Sequence, residues 1–338
     1  MANAIAPILH ALFDPRLWLL VFLFQGATLH AAKNRLLVLG PDSLGYDQVL
    51  TALNDELEDE FDIVQRTVHR ETPYRDFERH ILEVQPDLMV LMDNVTISYY
   101  RFFQDRHRGR LKFPPAIVTM ALFVDQSILG MENVVGVRYE VPPILSLTHL
   151  RALIDNPVER VGVLYRAEHA NYFNDQKILC AREGIELVGY KVEVSFQKGG
   201  GEAMSKIFSK EIRNGLKYLV ATENVDVLLV LNDNKLLNER DVRNVWLPRL
   251  KRFRKPILVG VETLMDIPHF GNFGVLPDHY GLGQTVGNLA IEIKENDFAL
   301  FSKGATDPHS VRKHLDRKFA RKYLDIQPDK LNEVDVLR

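Results

Sequence analysis

The stretch VDVLLVLNDNKLLN, from Val225 to Asn238, contains a short apolar run that stops at three consecutive polar residues, Asn232, Asp233 and Asn234. A continuous apolar run is what a strand needs when both faces of its sheet are covered, as in parallel sheets. In open parallel sheets, ligands bind beyond the carboxyl ends of the strands. The polar triplet therefore stands where a ligand is recognised, or else it caps the next helix and forms a local turn.

Short apolar runs alternate with amphipathic stretches along most of the chain. The further strand candidates are RLLVLG (35–40), FDIVQR (61–66), PDLMVLMDN (86–94), PPAIVTM (114–120), NVVGVRYEV (133–141), RVGVLYR (160–166), IELVGYKVEV (185–194) and KPILVGVE (255–262). Helices are predicted over residues 46–57, 75–84, 146–156, 170–183, 203–220 and 239–253. Strands that alternate with helices of about 10 to 15 residues indicate βαβ units and parallel sheets. Two such sets in series, starting near residues 34 and 145, predict two Rossmann-like α/β lobes.

The first 32 residues differ from the rest of the chain. An uninterrupted apolar run from Leu17 to Phe24, LWLLVFLF, follows Arg16 and precedes small residues that include Ala31 and Ala32. This order is typical of a secretory signal peptide, and the run is shorter than the roughly 20 apolar residues that a membrane span needs. We expect a periplasmic protein whose mature chain begins near residue 32 or 33. An uncleaved membrane anchor and a buried N-terminal helix are the alternatives.

The length and composition of the chain are typical of a large globular protein, and its sequence contains no common catalytic motif. Its 338 residues exceed the size at which one core usually suffices, and its net charge of −3 supplies no global field for nucleic acid. The single cysteine, Cys180, is expected to be a buried helical residue. The glycines of GLGQTVG, residues 281–287, open a late helix and are expected to permit close helix packing. Because no G-x-S-x-G or H-E-x-x-H motif is present, we predict no enzyme activity, cofactor or metal site.

Four segments occur in an informative order and spacing. They are RVGVLYRAEHANYF (160–173), VDVLLVLNDNKLLN (225–238), KPILVGVETLMD (255–266) and FGNFGVLPDHYGLGQTVGNLAIEI (270–293). Together they resemble the periplasmic substrate-binding proteins of ABC transporters, in the family that includes tryptophan- and tyrosine-type binders. The residues that match the family's three motifs are Tyr165, Ala170, Asn171, Asp233, Asn234, Gly274, Asp278 and Gly283. The chain has Arg166 and His169 where the family usually has Asn and Glu.

The resemblance implies a type I periplasmic-binding-protein fold, in which the chain crosses about three times between two lobes and forms a hinge. The first lobe would comprise residues 33–143 plus about 270–300, and the second residues 144–269 plus about 301–338. The implied function is capture of a small polar metabolite by a monomeric protein that docks on an ABC permease. The alternative is a sensor that signals to a membrane kinase or cyclase without transport.

Eight residues are predicted ligand contacts, because most of them follow a predicted strand or begin a predicted helix. They are Ser43, Asp93, Asn94, Tyr165, Asn171, Asp233, Asn234 and Glu262. Helix N-termini donate to a ligand carboxylate, and acidic side chains accept from an ammonium group. Tyr165, with Tyr99 or Phe123 as further neighbours, would cover an apolar part of the ligand. Arg166 and His169 would add positive charge at the cleft mouth and shift the preference toward a more anionic ligand. We expect a small polar metabolite with at least one carboxylate, with aromatic amino acids as the first class and organic acids or peptides as the next.

Overall fold

Two lobes, each built around one sheet, make up the described part of the chain. The computed structural model describes residues 33–194, 201–301 and 304–338. The apolar run of residues 17–24 lies outside these ranges, and so does the whole expected signal peptide. Within the three ranges, no helix is long and apolar enough to cross a membrane.

Strands and helices alternate along the chain, as the sequence predicts. In chain order they are β1 (Asn34–Gly40), α1 (Leu44–Leu57), β2 (Phe61–Thr67), α2 (Tyr74–Val84), β3 (Leu88–Met92), α3 (Asn94–His107), β4 (Ala116–Thr119), α4 (Val124–Ser127), β5 (Val134–Val137), α5 (Pro143–Leu153), β6 (Arg160–Arg166), α6 (Ala170–Arg182), β7 (Glu186–Val192), α7 (Glu202–Lys217), β8 (Val227–Val230), α8 (Glu239–Asp241), α9 (Leu247–Leu250), β9 (Ile257–Val259), α10 (Glu262–Met265), β10 (Phe273–Pro277), α11 (His279–Glu295), β11 (Gly304–Thr306), β12 (Val311–Leu315), α12 (Arg317–Tyr323) and β13 (Val336–Leu337). A π-helical segment, Val242–Trp246, joins α8 to α9.

The strands form two sheets that are almost entirely parallel. The first sheet has six strands in the order β11-β5-β4-β3-β1-β2. The second has seven in the order β13-β12-β10-β9-β8-β6-β7, and β12 runs antiparallel to β10. The predicted fold class, two α/β lobes with parallel sheets, is therefore confirmed.

Both faces of each sheet are covered, which explains the continuous apolar runs. In β1, Leu37 and Leu39 pack in one core layer with Ile97 of α3, whereas Leu36 and Val38 pack in another layer with helix α11. The second sheet is likewise enclosed by two core layers. One of these layers contains Cys180 of α6, which is buried as predicted.

The chain passes between the lobes three times. Residues 138–142 lead from β5 to α5, Asp278 leads from β10 to α11, and residues 307–310 lead from β11 to β12. Helix α11 packs on α1 of the first lobe, where a Cβ at Gly283 would lie 2.6 Å from that of Ala52. The prediction that these glycines permit close helix packing is confirmed.

The lobe boundaries differ from the expected ranges at two places. The sequence expectation puts residues 270–277 in the first lobe, but β10 lies between β9 and β12 of the second sheet, with Phe273 and Val275 fully buried. It puts residues 301–306 in the second lobe, but β11 pairs with β5 of the first sheet. The expected ranges come from the family resemblance, which does not specify the neighbour of each strand in the two sheets of this chain.

Candidate functional site

Asp233, which follows β8, lies at the centre of a buried ion cluster in the second lobe. Its Oδ2 accepts a hydrogen bond from Nε of Arg166 at 2.5 Å and lies 3.4 Å from Nε2 of His169. Its Oδ1 accepts from the backbone N–H of Lys235 at 2.9 Å. Burial raises the pKa of Asp233, but hydrogen bonds from His169 and Arg166 outweigh burial and lower the pKa to about 2. The carboxylate is therefore ionised and held by the protein's own groups.

Arg166, buried at the carboxyl end of β6, carries a charge that neighbouring carboxylates balance. It pairs with Asp233 and with Glu168. We expected Arg166 and His169 to add positive charge at the cleft mouth. Asp233 and Glu168 offset the charge of Arg166 there. An anionic ligand would have to compete with both of them for the guanidinium group.

His169 joins this cluster to the first lobe. Its ring stacks on Phe123, with centroids 4.2 Å apart and planes 17° apart. Its Nδ1 is buried and has no hydrogen-bond partner among the described residues. Phe123 lies in the loop after β4, and Asn94 holds this loop through hydrogen bonds of 2.9 Å with both the N–H and the carbonyl group of Leu122. Asn94 thus positions Phe123 against His169.

Asp93 caps helix α3 at the carboxyl end of β3. Its Oδ1 accepts from the N–H groups of Val95 at 2.9 Å and Thr96 at 2.8 Å. Its φ of 107° and ψ of 169° lie in a region that favours glycine, so the backbone is strained at this position. Burial raises the pKa of Asp93, and the charge of Asp93 adds to the effect of burial in raising the pKa of Tyr46. Because both cap bonds end on Oδ1, Asp93 remains a candidate acceptor through Oδ2.

A cavity of about 270 Å³, here called the hinge cavity, lies where the first two crossings meet. Tyr139 of the first crossing stacks on His279, the first residue of α11, with centroids 5.8 Å apart. The Tyr139 hydroxyl lies 3.3 Å from Nε2 of His279. Glu262, a predicted ligand contact, also lines this cavity, where it pairs with Arg338 and lies 4.0 Å from Nδ1 of His314. The hinge cavity is therefore lined by one predicted ligand residue, Glu262, and by the stacked pair of Tyr139 and His279.

The remaining predicted residues contact neither the ion cluster around Asp233 nor the hinge cavity. Three of them are exposed: Ser43, Asn171 and Asn234. Tyr165 stacks on Phe173 of its own lobe, with centroids 4.2 Å apart, so one face of its ring is covered. Tyr99 donates a hydrogen bond to the carbonyl oxygen of Thr72 and packs within the first lobe.

Sequence reasoning missed Tyr139, Glu140 and His279. The alternating run NVVGVRYEV predicts one strand up to residue 141, whereas β5 ends at Val137 and the next residues cross to the second lobe. Arg138 and Glu140 line a second cavity, and Tyr139 lines the hinge cavity. Polar residues directly after a buried run were the available signal, the same one that pointed to Asp233.

Comparison with known proteins identifies the class of fold. No family model matches the sequence, and no curated protein is significantly similar to it. An ABC domain in complex with L-Trp from Streptococcus pneumoniae is 16% identical at a TM-score of 0.55, over 90% of this chain and 100% of that chain. The ligand-free, open structure of a substrate-binding protein with adhesive properties from Clostridium difficile is 14% identical at a TM-score of 0.62, over 90% of this chain and 99% of that chain.

A third similar structure is a periplasmic ribose ABC transporter from Conexibacter woesei. It is 12% identical at a TM-score of 0.50, over 86% of this chain and 95% of that chain. At such identities the likeness concerns the fold alone. The chain has the two-lobe α/β fold of type I periplasmic binding proteins.

Proposed function

We propose that this protein is a periplasmic substrate-binding protein that captures a small polar metabolite between its lobes for an ABC importer. The observation that carries the proposal is a set of recognition groups on both sides of a three-crossing hinge. Asp93 lies on the first lobe, His169 on the second, and Tyr139 with His279 in the crossings. Lobes joined in this way can close on a ligand and open to release it. The fold shared with solute-binding proteins supports the proposal.

An amino acid or a related carboxylate is the ligand class. Asp93 and Glu262 offer acceptors for an ammonium group, and the backbone N–H groups that begin α1 offer donors for a carboxylate. Because Asp233 and Glu168 balance the charge of Arg166, uncharged backbone N–H groups would bind the carboxylate of the ligand. The L-Trp in the Streptococcus pneumoniae structure favours an aromatic amino acid, with organic acids or peptides as the next class.

A ligand sensor is the alternative function, since it needs the same cleft. A membrane kinase or cyclase would then read the closed state. Neighbouring genes distinguish the two, because a permease and an ATPase support uptake whereas a kinase or cyclase supports sensing. Both functions require export, and we propose that the exported protein is a monomer. N-terminal sequencing of the exported protein should show a mature chain that begins near residue 32 or 33. A start at Met1 would indicate an anchor instead.

A thermal-shift screen of amino acids, organic acids, sugars and nucleosides tests the proposal. We expect at least one amino acid or organic acid to raise the melting temperature. Asp93→Asn keeps a capping oxygen but loses the charge, so it should weaken binding of that ligand by about 10- to 100-fold, the range of a charge-assisted hydrogen bond. Asp62→Asn, an exposed position on β2, is the matched control and should bind like the unmodified protein. Stabilisation by sugars or nucleosides alone, or full affinity in Asp93→Asn, would contradict the proposal.

A further inference from the structure

A second cavity of about 450 Å³, here called the α6 cavity, lies between the first crossing and helix α6. The first lobe contributes Phe123 and the start of α4, and the second lobe contributes Tyr172, Asp175 and Gln176 of α6. None of the eight predicted ligand residues is among the residues that line it. Its volume is in the range of small-molecule sites, which is about 300 to 1,000 Å³. The α6 cavity shares no lining residue with the hinge cavity and is therefore a separate cavity.

Two aromatic rings form a corner of the α6 cavity. The rings of Phe123 and Tyr172 have centroids 5.4 Å apart and planes at 87°. The Tyr172 ring packs against an apolar core layer of the second lobe. A cation within about 6 Å of such a ring centroid is attracted by its negative face.

The charges that line the α6 cavity are predominantly negative. Among the described residues, Arg138 is the one basic residue that lines the cavity, and it is already bonded to two of the four lining carboxylates. Its Nε donates to Asp125 at 2.7 Å and its Nη1 donates to Asp307 at 2.9 Å. The other two carboxylates, Glu140 and Asp175, form no ion pair within the described part of the chain. Glu140 and Asp175 therefore have no cationic partner in the cavity lining.

Two hydrogen-bond acceptors with free capacity line the α6 cavity, on Gln176 and on Glu140. Oε1 of Gln176 is buried and has no partner among residues 33–194, 201–301 and 304–338. Glu140 accepts one hydrogen bond, from the backbone N–H of Phe123 to Oε2 at 2.7 Å. Burial, and then the negative charge of Asp125, raise the pKa of Glu140 to about 7. An ammonium ligand would donate to these acceptors and favour the ionised form of Glu140.

We propose that the α6 cavity binds a small organic cation, an amine or a quaternary ammonium compound, with Glu140 as its counter-charge and Phe123 and Tyr172 as its aromatic walls. The proposal does not depend on which metabolite the cleft takes. Because the cavity is lined from both lobes, a bound cation would also connect them across the hinge.

Calorimetric titration with choline tests this proposal, with 3,3-dimethylbutan-1-ol as the neutral compound of the same shape. Choline should bind and should raise the melting temperature, and the neutral compound should do neither. Glu140→Gln retains an acceptor for the Phe123 N–H and should weaken choline binding at least tenfold at pH 8. Tyr172→Leu should weaken it as well, by roughly fivefold, because the loss of a cation–π contact costs about 1 kcal/mol. Asp62→Asn and Asp93→Asn should bind choline like the unmodified protein.

The pH dependence of choline binding provides a second readout. The groups that face Glu140 are Asp125 of α4, Tyr172 and Asp175 of α6, Arg138 and Tyr139 of its own segment, and Asp307 of the third crossing. Affinity should rise about five- to tenfold between pH 6 and 8, as Glu140 ionises around pH 7, and should stay flat in Glu140→Gln. Equal binding of the neutral compound, undiminished binding in Glu140→Gln, or weakening in Asp93→Asn alone would overturn the assignment. Failure of choline, tetramethylammonium and the primary amine ethanolamine to bind at millimolar concentration would also overturn it.

Discussion

At the scale of single residues, Asp233 is a carboxylate whose neighbours determine its role. As a polar residue after a buried strand it has the features of a ligand acceptor, but both of its oxygens are used within the protein. Arg166 lies 67 positions away in sequence and reaches Asp233 because β6 and β8 are adjacent in the sheet. Sequence reasoning could find the position of Asp233 and could not find this partner, since sheet order is not encoded in local pattern.

Removal of the Asp233 carboxylate should destabilise the protein. Asp233→Ala leaves the buried Arg166 without its principal partner, and breaking a buried pair in this way costs about 3 to 5 kcal/mol. Urea denaturation at pH 7 measures this loss, with the exposed neighbour Asn234→Ala as the control. The double variant Asp233→Ala with Arg166→Met should regain much of the stability. Since the folded-state pKa is lowered, the contribution of Asp233 is present above pH 3.8 and declines as the pH falls to about 2. An unchanged urea midpoint in Asp233→Ala would contradict the role assigned to the cluster.

Glu140 should have the opposite pH dependence. Its folded-state pKa of about 7 exceeds the ordinary value of 4.5, so its neutral form stabilises the fold below pH 4.5 and this contribution is lost as the pH rises to about 7. Glu140→Gln should therefore be more stable than the unmodified protein at pH 8, by about 3 kcal/mol, and equally stable at pH 4. Thermal unfolding of both proteins at the two pH values measures the difference. A stability difference that is the same at pH 4 and pH 8 would show that Glu140 does not titrate in this range.

At the scale of helices and strands, the sequence predicts those elements whose position depends on the local hydrophobic pattern. RLLVLG predicts a strand over residues 35–40, and β1 covers Asn34–Gly40. The predicted helix over residues 239–253 is confirmed from Glu239 to Leu250, but a π-helical segment, Val242–Trp246, separates its two α-helical ends. A π-helical segment satisfies the backbone with i→i+5 hydrogen bonds, and five residues are too few for the hydrophobic period to distinguish it from an α-helix. The end of β5 at Val137 was also missed, because the residues after it stay extended and continue the pattern of a strand.

Contact between α11 and α1 should be sensitive to one methyl group. Gly283→Ala gains up to about 1 kcal/mol of helix propensity, but its Cβ would lie 2.6 Å from both Cβ of Ala52 and the carbonyl oxygen of Val49. Overpacking of this kind costs about 1 to 3 kcal/mol, so we expect a net loss of stability. Asn288→Ala, on the exposed side of the same helix, is the control and should be neutral or stabilising. A higher melting temperature in Gly283→Ala would show that propensity outweighs packing here.

At the scale of the whole molecule, contacts of two kinds hold the lobes in their present arrangement. Phe123 on His169 joins the strand ends of the two lobes, and Tyr139 on His279 joins two of the crossings. The residues of the second contact are 140 positions apart in sequence, so no motif could have revealed them. Stacked aromatic pairs contribute about 0.5 to 1.5 kcal/mol beyond the area they bury. This is small enough for a ligand in the cleft to change the angle between the lobes.

Ligand binding in the cleft should therefore make the molecule more compact. Hinged lobes interconvert within about microseconds to milliseconds, and small-angle X-ray scattering reports the average of the states present. With a saturating ligand from the thermal-shift screen, the radius of gyration should decrease, and Asp62→Asn should respond in the same way. Asp93→Asn should require a higher ligand concentration, because the acceptor on the first lobe is lost while the hinge is intact. Phe123→Ala removes the contact with His169 and should have a larger radius of gyration without ligand, because open states become more populated. An unchanged radius at saturation in the unmodified protein would show that this two-lobe chain binds its ligand without closing.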